Sequence, residues 1–163
     1  MIRTLQISKL KDAEEKGYTV IAIRRKPGKI KRYIDSGEIE WVPDLAPSAE
    51  LMQKVEKWKA DKEWNAATFG NQFVPLFIRE TTSPSFKKAL REVKRRSREG
   101  EKICLACFCK NPDLCHRSIV IGLLQADGDS SEPVIGKDYS PYMLYYLTEI
   151  RKQKKEAFYG KQK

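Results

Sequence analysis

The stretch ICLACFCKNPDLCHRS, residues 103–118, decides how the rest of the chain is read. Its first part is an unbroken apolar run, as expected of a strand covered on both faces. The run breaks at Lys110–Asp113 into a polar turn with Pro112, and a helix is expected from that turn to about Gln125. All four cysteines of the chain (Cys104, Cys107, Cys109, Cys115) and its single histidine, His116, lie in these sixteen positions.

Outward from this stretch the chain alternates strands and helices. Toward the N-terminus, Gly100 closes a helix that Ser83 and Pro84 open, with Phe86, Leu90 and Val93 on its apolar stripe. Residues 65–82 are ambiguous: Phe69, Phe73 and Phe77 have helical spacing, but Gly70 and Pro75 interrupt it. Ser48 starts another helix, with Leu51, Val55, Trp58 and Lys62 on one stripe. IEWV (39–42) reads as a short strand stopped by Pro43, and Lys31–Ser36 as a short helix before Gly37. TVIAI (19–23) is a β-rich strand that runs into the basic loop RRKPGK. Ile2, Leu5 and Ile7 mark a first strand, after which Ser8 is expected to cap a helix that Gly17 ends. Toward the C-terminus, DGDSSEP reads as a loop, and Ser140–Pro141 open a last helix.

This order predicts a small three-layer, Rossmann-like α/β domain with a mostly parallel sheet. Residues 1–150 form a single domain, and 151–163 a basic, partly disordered tail. In open parallel sheets, sites form beyond the carboxyl ends of the strands. RRKPGK and CKNPDLCHR both follow strands, so the site is expected where these two turns converge.

With 163 residues the chain can bury a proper core without disulfides. Four cysteines crowded into twelve positions would tie the chain only to itself, which indicates a reducing cytoplasm. MIRTLQIS lacks a secretory pattern, and no apolar run approaches a membrane span. A net charge of +10 favours anionic partners: nucleotides, nucleic acid or acidic surfaces. The basic residues cluster at 24–32, at 87–98 and in the tail. Only the first cluster falls at the expected site.

Cys107 and Cys109 share one face of the strand and Cys104 takes the other, where it reads as packing. Cys115 is expected in the first turns of a helix, beside His116 and Arg117. A helix N-terminus and positive neighbours favour a thiolate and attract phosphate. The candidate catalytic residues are therefore Cys115, His116 and Cys107, with Arg24, Arg117, Lys110 and Ser118 as candidate anion holders. No cofactor is expected. A zinc site of Cys107, Cys109, Cys115 and His116 is the alternative, opposed by the lack of paired CxxC knuckles and by adjacent Cys115 and His116 diverging on a helix. The Cys-x5-Arg loop of thiol phosphatases is absent.

CFCKNPDLCHRS closely resembles the hallmark of the domain of unknown function 488 family, also called YeaO-like. Cys107 stands as its strand-end cysteine, Pro112 as its turn proline, and Cys115, His116, Arg117 and Ser118 as its closing motif. The family's second strand ends in Asp-Val-Arg followed by a proline. Here AIRRKP keeps Arg24 and Pro27 but has Ala22 in place of the acid, and Cys109 stands where many members carry glutamate. The resemblance covers about residues 2–126 and implies an α/β fold and a site location, not a reaction.

Three functions follow as expectations. The first is an enzyme or binding protein for a phosphate-bearing, nucleotide-like ligand. The second is a nucleic-acid-binding module using the basic clusters. The third is a thiol redox or zinc domain.

Overall fold

The structure, a computed structural model, describes residues 1–126 and 140–159. Its centre is a four-stranded, all-parallel sheet in the order β1 (Ile2–Gln6), β4 (Ile103–Cys107), β2 (Thr19–Ala22), β3 (Ile39–Trp41). The last strand in sequence is therefore inserted between β1 and β2, which explains why every residue of ICLAC is buried.

Alternation along the strands sorts their side chains into two cores. Ile21, Ile23, Ile103 and Leu105 face the larger one, and Val20, Ala22, Cys104 and Ala106 the smaller. The smaller core is covered by α1 (Leu10–Glu15) and α2 (Lys31–Asp35). The larger is covered by α3 (Ala49–Ala60), α5 (Val74–Glu80), α6 (Pro84–Arg98) and α7 (His116–Ala126). The result is the expected three-layer α/β domain.

Most helix boundaries follow local chemistry. Ser48 Oγ accepts from Leu51 N and Ser83 Oγ from Phe86 N, so both serines cap their helices. Gly17 and Gly100 hold the left-handed φ values, 71° and 95°, at which chains leave helices. Ser8 departs from expectation. It lies inside a 3₁₀ turn, Ile7–Lys9, and Lys9 precedes α1 without a side-chain cap.

The ambiguous segment is helical from Ala66 to Glu80. A short α4 (Ala66–Thr68) passes through a π-helical stretch, Phe69–Phe73, into α5. There Val74 N donates to Phe69 O, five residues back. Pro75 has no N–H to give, and the wider turn lets the helix pass it without breaking. Phe69, Phe73 and Phe77 stack at 5.3 and 5.7 Å between neighbouring ring centroids, so their spacing was the true signal.

The last helix, α8 (Ser140–Tyr159), continues as one element across residue 150 and takes in residues 151–159 of the basic tail. Tyr142 and Tyr146 of α8 pack on the larger core, and the Tyr142 ring meets Phe69 edge-on at 6.4 Å. The loop expected at 127–133 and residues 160–163 lie outside the described residues. Among the described residues no helix is long and apolar enough to cross a membrane.

Candidate functional site

β2 and β4 are hydrogen-bonded neighbours, so the turns that follow them emerge side by side. Ile23 N donates to Ala106 O at the last rung, and the chains then diverge. Between them and α3 opens a cavity of about 580 Å³. Cys107, Cys109, Cys115 and His116 line it together with Met52, Trp64 and Phe73. Arg24, Lys26 and Lys59 reach its edge. The two polar turns thus converge at the carboxyl edge of the sheet.

The sulfur atoms of Cys107, Cys109 and Cys115 lie within 4.8 Å of one another. Cys107 and Cys109 Sγ are 3.6 Å apart. Cys104 is on the opposite face among apolar side chains, and burial pushes its thiol up to about 12. It is packing, not part of the cluster.

Cys115 does not lie in a helix. Pro112–Leu114 form a 3₁₀ turn, and Cys115 is extended (φ −135°, ψ 135°) immediately before α7. Its carbonyl accepts from Ser118 N. This corrects the expectation that Cys115 and His116 diverge. The extended residue turns its sulfur to within 4.0 Å of His116 Nδ1.

His116 Nε2 lies 2.6 Å from Ile23 O. A carbonyl only accepts, so Nε2 carries the proton and Nδ1 is left bare toward Cys115. The three sulfurs lie within 4.8 Å of one another without His116, although its bare Nδ1 faces Cys115. Three of the four candidate metal ligands gather, close enough to share one thiophilic ion.

The thiols do not ionise alike. The Cys109 and Cys115 thiols, hydrogen-bonded to Cys107, hold it far below the ordinary thiol range. Cys109 is pushed up to about 11, chiefly because it hydrogen-bonds Cys107. Burial pushes Cys115 well above the ordinary thiol range, so it stays a thiol. The stabilised thiolate of the cluster is thus at Cys107 rather than at Cys115.

Arg24 sits beside these sulfurs. Its guanidinium lies 4.2 Å over the Phe108 ring, and Nη1 donates to Pro27 O at 3.0 Å. Burial lowers its pKa, while Cys107 and Cys109 act in the opposite sense. The pose depends on Gly28, whose φ is 51° and where a Cβ would lie 3.3 Å from Arg24 Nη1.

The other candidate anion holders do not line this cavity. Arg117 is 3% exposed, and its Nη1 donates to Leu5 O at 2.5 Å and to Cys107 O at 3.4 Å. Its Nε is buried without a hydrogen-bond partner among the described residues. Arg117 joins the ends of β1 and β4 and so seats Cys107 from behind. Ser118 Oγ donates to Pro112 O at 2.5 Å and closes the 3₁₀ turn. Lys110 is exposed and away from the cavity wall.

The sequence reading missed Trp64, Phe73, Met52, Gln53 and Lys59 as lining residues. Trp64 and Phe73 meet edge-on at 5.6 Å, in the segment where Pro75 obscured the helical period. Phe108 was legible only as a large apolar side chain between two motif cysteines, yet it is 37% exposed.

A family profile described as "Active DUF488-N3 subclade" matches residues 2–128. No curated protein and no solved structure shows significant similarity to the chain. The match covers the sheet, both turns and the whole sulfur cluster, and on it the chain belongs to the DUF488 (YeaO-like) family.

Proposed function

We propose that the cavity binds a phosphate-bearing, nucleotide-like ligand and that Cys107 attacks it as a thiolate. The observation that carries this reading is one cavity lined at once by three clustered sulfurs, by aromatic side chains and by the cations Arg24, Arg25 and Lys26. The partly exposed Trp64 ring, backed by Phe73, offers an apolar surface to a base. Arg24 and Lys26 offer charge to a phosphate. Cys107 supplies the electron pair to an electrophilic atom of the ligand. The leaving group departs with its bonding electrons and takes a proton from the Cys115–His116 pair. The word "active" in the description of the matching subclade agrees with chemistry rather than silent binding. The free state of all four cysteines fits a reducing compartment.

Calorimetric titration with the four nucleoside 5′-monophosphates tests the binding. Wild type is expected to bind at least one, and Arg24→Ala to lose about tenfold or more in affinity. Cys107→Ser is expected to retain binding and lose turnover or any covalent adduct seen by intact mass. Absence of binding to all four would sink the reading.

The proximity of the three sulfurs supports a second reading, a thiophilic metal centre. Native mass spectrometry of reduced protein purified without chelator separates the two. One zinc per chain, lost in Cys107→Ser, would replace the nucleophile by a metal ligand.

A further inference from the structure

A second cavity, of about 380 Å³, lies on the other side of Phe108, and the Proposed function leaves it unused. It opens beside the end of β1, where Gln6 and Ser8 meet α1 and α2. Lys11, Lys29 and Arg32 line it, with Glu14 and Glu38. The three cations are exposed.

Phe108 lines both cavities. It follows β4 directly, so it stands at the carboxyl edge of the sheet with one cavity toward each face. Arg24 stacks on it and is held there by Pro27 O, above a loop whose left-handed Gly28 leaves room for the guanidinium. Trp41 Nε1 donates to Arg24 O at 2.7 Å and fixes the backbone of the same residue. The Arg24–Phe108 pair is thus a built cross-bar with a half-exposed ring and a cation at the junction of two basic-edged cavities.

Resting on the reading above, we infer that the ligand is a pair of nucleotides joined through phosphate. One unit fills the larger cavity beside the sulfurs, and its neighbour crosses Phe108 into the smaller cavity. The cross-bar suits the linkage: the exposed part of the Phe108 ring not covered by Arg24 for a base or sugar, and Arg24 for the bridging phosphate. Lys29 and Arg32 then meet the charge of the second unit. A lone mononucleotide would leave the smaller cavity empty. The paired unit could come from a free dinucleotide or from a single-stranded nucleic acid.

The test compares the four nucleoside 5′-monophosphates, the matching phosphodiester dinucleotides and single-stranded decamers. Each is titrated into wild type, Phe108→Ala and the double variant Lys29→Glu/Arg32→Glu. The expected result is a dinucleotide at least about tenfold tighter than its mononucleotide, because the second unit binds at high effective concentration. Both variants are expected to cancel that gain, and the double variant to leave mononucleotide affinity unchanged. Decamers as tight as dinucleotides or tighter would identify a polymer source, and decamers that fail to bind a free dinucleotide. Equal affinity for mono- and dinucleotide overturns the inference alone. Failure of every probe overturns it together with the nucleotide reading. Thermal midpoints of the variants equal to wild type exclude unfolding as the cause, and both substituted cations are at the surface.

Discussion

Cys107 gathers its properties from three neighbours no more than ten residues away. Cys109 and Cys115 hydrogen-bond its sulfur, and Arg117 holds its carbonyl. Both hydrogen bonds favour its thiolate. Iodoacetamide is therefore expected to alkylate Cys107 at a rate that falls by clearly less than about tenfold per unit from pH 8 to pH 5. An ordinary thiol would slow by about tenfold per pH unit over that range. Peptide mapping by mass spectrometry follows the site, and a tenfold fall per unit at Cys107 would contradict the assignment. The second residue-scale prediction concerns Gly28, whose φ of 51° excludes most side chains and whose Cβ would crowd Arg24. Gly28→Ala is expected to cost about 1–2 kcal/mol, seen in denaturant midpoints, and to weaken ligand binding as Arg24 shifts. Gly17→Ala, with a similar φ but open space around it, is the control: it shares the strain but not the effect on binding.

At the scale of elements, paired charges decide how α6 is used. Arg95 bonds Glu92 and Glu99, while Arg96 bonds Glu101 and Glu40. Two of the seven basic residues of the cluster at 87–98 are thus paired with carboxylates of the fold. Arg96 also ties the end of α6 to β3 and to the entry of β4. Its hydrogen bond holds the Glu101 carboxyl down at about 2. A carboxylate with a depressed folded pKa stabilises the fold above its unfolded value, near 4.3, and loses that contribution as pH falls toward 2. Glu101→Gln is expected to be less stable than wild type at pH 7, by about 1 kcal/mol for a partly buried pair. The difference should close between about pH 4.5 and pH 2. A difference independent of pH, in urea melts at each pH, would show that the ion pair is not its source.

For the whole molecule, α8 matters most. The family match ends at residue 128, and α8 begins beyond it, at Ser140. Even so, Tyr142 and Tyr146 cover the larger core beside Phe69. A chain ending before Ser140 is expected to melt at least about 10 °C lower and to bind a hydrophobic dye, because two aromatic contacts and a core face open to water. An unchanged midpoint would make α8 an appendage.

Much was legible in the residues themselves. Apolar runs, serine caps and glycine stops are local signals, set within a few positions by backbone sterics and hydrogen bonding. They placed the four strands, the helices opened by Ser48 and Ser83, and the two turns at the site. The CFCKNPDLCHRS motif marked the location and the family. Other features depended on what each residue meets far along the chain. Whether Arg117 faces ligand or backbone turned on Leu5 O, 112 positions away. Which sulfur holds the charge turned on how the strand end and the extended Cys115 fold back on each other. The cavity's aromatic wall came from a helix that a proline had disguised. Local signals settle within a turn of chain, whereas burial, ionisation and cavity shape are sums over neighbours that only the packed fold brings together.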